Sequence, residues 1–321
     1  MSLSAFFRLI RITNLFIILM LFVILHHWYV NKFYPSFNPE HLNVPVFPFT
    51  TILFLAIAVI LIAAAGYIIN DYFDIRTDMV NRPESMIAGK YFSRKSLIYF
   101  NLLLNISGIT FGFIASYKSG HLSLGIIYPM ASALLIFYST HLKKYPWLGN
   151  ITVALLIGFL PILYYLHLIS FIHIHISFIQ KEQILILGKL FKFLMLYGLF
   201  AFLLNIIREI IKDMEDVEGD KEIGAQTIPI KYGLDSTKIF VFLINLILSL
   251  LIAFVIYNTI KNAPRVQTTF MIFLVLNFLF SLLNGYFILK AKNKNDFHKI
   301  SIWLKVFMFF GLLMPLFVQI N

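Results

Sequence analysis

Three aspartates, Asp71, Asp74 and Asp78, follow one another at i, i+3 and i+7 in the stretch YIINDYFDIRTDMVNRP, and Asp213, Asp216 and Asp220 repeat that spacing further along the chain. On a helix this spacing lines one face. Twelve of the fifteen carboxylates fall in these two segments: Asp71, Asp74, Asp78 and Glu84 in the first, and Glu209, Asp213, Glu215, Asp216, Glu218, Asp220, Glu222 and Asp235 in the second. Two like-charged stripes repel unless something positive lies between them. Polar helix ends facing water are the plain alternative, and the repetition of one internal spacing argues against it. A divalent cation is the natural neutraliser. Magnesium takes oxygen ligands, keeps several waters and bridges a few carboxylates to phosphate oxygens. Two acidic helix ends meeting across a cavity would suit a pair of such ions holding a diphosphate.

The elements that carry these acids are set by composition. Of 321 residues 60% are hydrophobic and 13% charged, whereas a soluble domain is about 45–50% apolar. This composition belongs to an integral membrane protein. Apolar runs long enough for a span, about 20 residues, recur nine times: Phe6 to Leu25, Phe49 to Ile69, Leu97 to Tyr117, Leu122 to Thr140, Ile151 to Ile172, Leu185 to Ile207, Ile239 to Ile260, Phe270 to Leu289 and Ile302 to Ile320. The first is too long for a signal peptide and has no small-residue cleavage site before Phe33. No soluble domain or long linker interrupts the series, so a single membrane domain over 1–321 is expected. Cysteine is absent, which excludes disulfides, thiolate nucleophiles and zinc–thiolate sites.

Basic residues orient the bundle. Eighteen lie at the start of the first span or in the loops after even-numbered spans: Arg8, Arg11, Arg76, Arg82, Lys90, Arg94, Lys95, Lys143, Lys144, Arg208, Lys212, Lys221, Lys231, Lys238, Lys290, Lys292, Lys294 and Lys299; seven lie on the other side. The richer side faces the cytoplasm of an inner or plasma membrane, and both acidic segments share it. The net charge of +11 is mainly this topology signal, with attraction to anionic lipid as a second consequence. A nucleic-acid partner is not expected, because no soluble basic face exists to carry one.

N-D-x-x-D-x-x-x-D from Asn70 to Asp78 with N-R-P at Asn81 to Pro83, followed by D-x-x-D-x-x-x-D from Asp213 to Asp220 and then I-G-A-Q-T-I-P, resembles the UbiA superfamily of intramembrane prenyltransferases. The resemblance covers nearly the whole chain. It implies an all-α bundle of nine membrane helices around a central cavity, with the acidic motifs at the cytoplasmic mouth binding the diphosphate of a polyprenyl donor through Mg²⁺, two ions in all, and the isoprenoid tail in an apolar tunnel. Carried over position by position, Asp71, Asp74, Asp216 and Asp220 are the expected catalytic acids, and Asp71, Asp74, Asp78, Asp213, Asp216 and Asp220 the expected metal-binding set. Asp71 or Asp74, with Asp216 and Asp220, would ligate directly, the outer acids would hold water, and Asn70 would orient the diphosphate. Tyr138, in F-Y-S-T-H-L-K-K, stands where the family often has a tyrosine before a basic pair.

An allylic diphosphate ionises when charge building on its leaving group is stabilised in a water-poor site. Arg82, Arg208 and Lys212 are candidate cations for that work, and each reads equally as a positive-inside anchor. Aromatic faces can stabilise an allylic cation, and the chain has 35 Phe, 16 Tyr and 3 Trp, most of which must face lipid or pack between helices. For the acceptor, N-D-Y-F-D-x-x-x-D-x-x-N-R-P and R-E-I-I-K-D-M-E-D-x-E-G-D look most like the ether-lipid branch, whose acceptor is geranylgeranylglyceryl phosphate; prenylation of an aromatic ring is the alternative. Lys90, Lys143 and Lys144 could meet an acceptor phosphate or serve as topology signal.

Two departures bear on the acceptor. R-P-x-x-P-x-G reads here R-P-E-S-M-I-A-G, and R-P-x-N in the first span reads Arg11-Ile12-Thr13-Asn14, so Arg11 and Asn14 keep their places as expected substrate contacts. The histidines His26, His27, His167, His173 and His175 lie at or near the outer span ends, opposite the acids, and read as packing rather than metal ligands; His141 lies on the cytoplasmic side. Pro161, helped by Gly158, and Pro315 are expected to kink spans five and nine, and Gly219 and Gly224 to end the sixth. Spans two and six each lead into an acidic stripe four spans apart, the mark of an internal repeat. A cation channel would need polar residues continuing through its spans, which look almost free of them, and the D-x-x-D-G-x-x-A-R block of CDP-alcohol phosphotransferases is absent.

Overall fold

In hydrocarbon every backbone N–H and C=O must be satisfied within its own segment, so the long apolar runs have only the helix open to them. A computed structural model of the protein describes residues 3–38, 45–81, 83–84, 86–175, 181–222, 224–262 and 268–318. Among these residues nine helices are long and apolar enough to cross a membrane: Ile12–Phe37, Phe49–Phe73, Arg94–Lys118, Leu122–Thr140, Leu148–His175, Lys181–Glu215, Leu234–Lys261, Thr268–Lys290 and Lys294–Phe317. No strand forms among them; Ala88 and Phe92 make an isolated bridge.

Two features depart from the sequence expectation and a third falls where it was expected. The first apolar run is two helices, Leu3–Leu9 and the span proper from Ile12, because Arg11 adopts φ 52°, ψ 56° and turns the chain between them. The fifth span breaks into Leu148–Gly158 and Leu160–His175. Pro161 has no N–H to offer the preceding turn, and the helix is interrupted at Phe159, where sequence placed a kink. Pro315 instead lies beyond the α-helix of the ninth span, which ends at Leu312, and sits in a tight 3-10 turn, Met314–Phe317.

The chain divides into two compact units, one of Met1–Leu142 with Phe159–Met195 and the other of Lys143–Gly158 with Leu196–Gln319. In the first, spans two and three pack closely because Gly108 offers no side chain: a Cβ there would stand 3.1 Å from the Ala58 carbonyl oxygen and 3.2 Å from the Ile62 nitrogen. Small residues at such a crossing let two backbones approach where no hydrophobic force drives helices together. Near the end that carries Asp71, Ala5, Leu9, Ile10 and Leu15 bury themselves against Ala64, Ile68, Ile75, Ala88, Phe92 and Leu97. In the second unit Ile207, Ile210, Ile211 and Met214 of the sixth span pack with Ile228, Val241, Ile288, Phe297 and Leu304.

The spans are not free of polar groups, contrary to the sequence reading. Asn101 donates to the Ala65 carbonyl at 2.8 Å, and Ser132 donates to Asn105 Oδ1 at 2.6 Å. In the second unit Asn245 donates to the Ser281 carbonyl at 2.9 Å, and Asn284 donates to Asn245 Oδ1 at 2.8 Å. These groups bond to one another across neighbouring helices, where an unpaired polar group would be costly. His167 belongs to this class: fully buried, its Nδ1 lies 2.7 Å from Ser119 Oγ and its Nε2 2.9 Å from the Tyr128 hydroxyl. It is a packing residue, as expected, but sits inside the helices rather than at the interface.

Candidate active site

Each acidic motif begins on the last turn of a membrane helix and ends on a short helix beyond it. Phe49–Phe73 carries Asn70 and Asp71 inside its last turn; Asp74 is the junction residue, with φ −87° and ψ 1°; Ile75–Asn81 carries Asp78. Lys181–Glu215 carries Asp213; Asp216 is the junction; Val217–Glu222 carries Asp220. The i→i−4 bonds nevertheless bridge both junctions. Asp74 N–H reaches Asn70 O at 2.9 Å and Asp78 N–H reaches Asp74 O at 2.8 Å, while Asp216 N–H reaches Lys212 O at 2.9 Å and Asp220 N–H reaches Asp216 O at 3.1 Å. The single helical face expected from the spacing is therefore a bent one, broken at the middle aspartate of both motifs. Gly219 does not end the sixth span, since it lies within Val217–Glu222; Gly224, at φ 70°, does turn the chain after that second helix.

In the first unit, Arg11 donates from Nη2 to Asp71 Oδ1 at 2.8 Å, with both side chains partly buried, and its guanidinium lies 4.8 Å over the Tyr67 ring. Asn14 donates to the Tyr67 hydroxyl at 3.3 Å. Asn70 donates to Asp74 Oδ2 at 2.6 Å, and its own Oδ1 is buried and accepts no hydrogen bond. The left-handed backbone at Arg11 costs a non-glycine residue about 1–2 kcal/mol, offset here by a charge-assisted bond and a cation–π contact. Tyr138 lies half-buried on the last turn of the fourth span. Arg82 lies outside the described residues.

In the second unit, Asn150 donates to Asp213 Oδ2 at 2.8 Å. Glu209, one turn before Asp213, accepts from Arg208 Nη1 at 2.7 Å and Lys212 Nζ at 3.4 Å. The two candidate cations are thus held at the motif by one carboxylate. His298 Nδ1 lies 2.9 Å from Glu215 Oε1, tying the ninth span to the end of the sixth. Lys143 and Lys144 form a tight turn, and the Lys144 carbonyl accepts the Gln226 N–H at 2.8 Å. The basic pair therefore sits at the loop that leaves Asp220. Sequence reasoning missed Asn150 and the role of Glu209: an asparagine in an apolar helix gives no local sign that it meets a residue 63 positions away.

Every side chain at the two motifs that could hold an ion offers oxygen, the donor set of a hard cation such as magnesium. Among the described residues no three His, Asp or Glu side chains within either unit gather round a point. Like charges do not converge without the ion that cancels them, and meanwhile Asp71, Asp74 and Asp213 bond to Arg11, Asn70 and Asn150. An ion that keeps its waters and shares phosphate oxygens needs only one or two of these carboxylates, and the buried, unpartnered Asn70 Oδ1 adds a further oxygen beside Asp74.

Known proteins resemble this chain in sequence and in fold. The digeranylgeranylglyceryl phosphate synthase of Methanosphaera stadtmanae is 30% identical over 251 residues, 78% of this chain and 81% of that one. A solved structure of digeranylgeranylglyceryl phosphate synthase superposes with a TM-score of 0.60 at 23% identity, over 98% of this chain and 96% of the other. A UbiA homologue from Archaeoglobus fulgidus, bound to GPP and Mg²⁺, superposes with a TM-score of 0.56 at 14% identity, over 96% of this chain and 99% of that one. These likenesses establish the nine-helix fold. The model of the UbiA prenyltransferase family matches residues 43–318, both acidic motifs included. The chain belongs to the UbiA prenyltransferase family.

Proposed function

We propose that this prenyltransferase moves a polyprenyl group, geranylgeranyl, from its diphosphate to geranylgeranylglyceryl phosphate within the membrane, with magnesium as the required metal. One observation carries the reading: two acidic motifs of the same spacing, each at the end of a membrane helix and each interrupted at its middle aspartate, with Arg11 on Asp71 in the first and Arg208 and Lys212 on Glu209, one turn before Asp213, in the second. The relative that aligns over four-fifths of its length makes the corresponding ether lipid by name, and the A. fulgidus homologue holds a prenyl diphosphate with Mg²⁺.

Asp71 and Asp74 with Asn70 in the first motif, and Asp216 and Asp220 in the second, would hold two ions; Asp78 and Asp213 shape the motifs around them. Bound there, magnesium would neutralise the charge that builds on the departing diphosphate. Lys212 and Arg208 add fixed positive charge to the same leaving group. The allylic C–O bond breaks with its electron pair passing to the diphosphate, and the acceptor hydroxyl oxygen closes the new C–O bond and releases its proton. Tyr138 and Tyr67 offer aromatic faces to a cationic carbon. Lys143 and Lys144 serve the acceptor phosphate, and Asn14 fixes the Tyr67 ring through its hydroxyl. The motifs face the cytoplasm by the charge asymmetry of the loops, and the isoprenoid chains lie among the spans in contact with lipid.

Protein in lipid vesicles with Mg²⁺ and labelled geranylgeranyl diphosphate, offered geranylgeranylglyceryl phosphate or aromatic acceptors, tests this. Product with the glyceryl phosphate is expected. Product with aromatic acceptors alone would overturn the acceptor while keeping the diphosphate chemistry.

A further inference from the structure

Among the described residues, two that are not glycine take a positive φ, Arg11 at 52° and Trp147 at 72°. They occupy matching places. Each stands directly before a membrane helix, Ile12 onward and Leu148 onward, and its carbonyl accepts the N–H four residues on, Leu15 at 3.3 Å and Ile151 at 2.8 Å. Three residues after each comes an asparagine, Asn14 or Asn150. Each of these helix starts also bonds the first aspartate of a motif: Arg11 holds Asp71, and Asn150 holds Asp213. The device is shared but the charge is not. Asp213 is held by a neutral amide, whereas Asp71 is held by a guanidinium that carries a full positive charge.

We infer that Arg11 is an internal counter-ion for the first motif: without substrate its guanidinium holds the place at Asp71 that a divalent cation would claim, and it passes to the diphosphate when the metal–diphosphate complex arrives. This deepens the magnesium–diphosphate reading above and rests on it. The bond spans 60 positions of chain and is made from a strained backbone, a combination that a lysine-like anchor to lipid headgroups does not require. A planar guanidinium also pairs with phosphate as readily as with carboxylate, so it can exchange one for the other. The first motif then binds a metal ion weakly by itself and strongly together with the diphosphate, so the two enter as one complex.

The test is Mn²⁺ binding to the full chain in lipid nanodiscs, followed by the electron paramagnetic resonance of the free ion, with and without inorganic diphosphate. Without diphosphate, Arg11→Gln is expected to bind Mn²⁺ about tenfold more tightly than wild type, the order of effect of a unit charge lost within a few ångströms of a divalent ion. Arg11→Lys, which keeps the charge, stays near wild type, and diphosphate strengthens Mn²⁺ binding less in Arg11→Gln than in wild type. Equal or weaker Mn²⁺ binding by Arg11→Gln overturns the inference while leaving the metal reading intact, provided Asp216→Asn and Asp220→Asn lose Mn²⁺. Wild-type binding that ignores those two substitutions overturns both. Should Arg11→Gln fail to fold, the side-chain ¹⁵Nε–H resonance of Arg11 in wild type decides: a shift on adding magnesium diphosphate supports release from Asp71, and no shift refutes it.

Discussion

Replacing Asn150 by leucine removes one donor and keeps the volume. Asn150 is 8% exposed and gives its Nδ2 to Asp213 Oδ2 at 2.8 Å. Loss of this bond leaves a buried acceptor unsatisfied, which costs roughly 1–3 kcal/mol. Asp213 lies on the helix that presents Asp216 and Asp220, so loosening it displaces the acids proposed to hold the ions. If the whole bond serves to position the motif, kcat/KM falls by about 5- to 150-fold, since 1.4 kcal/mol is a factor of ten. Steady-state prenyl transfer in vesicles at several Mg²⁺ concentrations measures the loss, and a melting curve checks that the variant is folded. Extra Mg²⁺ restores part of the rate if positioning of metal-binding acids is the cause. A variant within twofold of wild type in both rate and Mg²⁺ dependence would refute the assignment of Asn150 as a positioning residue.

Asp71→Ala and Asp220→Ala are each expected to abolish turnover while the protein stays folded, checked by product formation beside a melting curve. Chelation with EDTA should stop the reaction and Mg²⁺ should restore it, whereas activity that survives chelation contradicts the metal assignment. Gly108→Val places a branched side chain against the Ala58 carbonyl and Ile62; overpacking of this kind costs about 1–3 kcal/mol, read as a lower melting temperature in detergent. His167→Leu strips the Tyr128 hydroxyl and Ser119 of their shared partner. It should cost about 1–3 kcal/mol of stability while leaving kcat per folded molecule unchanged.

The nine spans were legible because hydrophobic length alone dictates a helix in hydrocarbon, and both motifs were legible because a repeated spacing of like charge has few physical uses. The break at Arg11 was not: an arginine carries no propensity for a left-handed backbone, and its contacts with Asp71 and Tyr67, which favour the turn, lie far along the chain. The bends at Asp74 and Asp216 were hidden for a related reason, since i, i+3, i+7 describes a straight helix and a helix bent at its middle aspartate equally well. The buried amides of Asn101, Asn105, Asn245 and Asn284 gave no local sign of their partners, because each bonds to a residue on a different helix. Asn150 shared that fate, since its partner Asp213 is set by packing, whereas Glu209 was missed beside Arg208 and Lys212 on its own helix.

The most direct test of the account is transfer of labelled geranylgeranyl from its diphosphate by the reconstituted protein, with geranylgeranylglyceryl phosphate and aromatic acceptors in parallel, each with Mg²⁺ and with EDTA. The account predicts one Mg²⁺-dependent product, from the glyceryl phosphate, absent in the Asp216→Asn variant. Product from an aromatic acceptor alone, or undiminished transfer by Asp216→Asn, would contradict it.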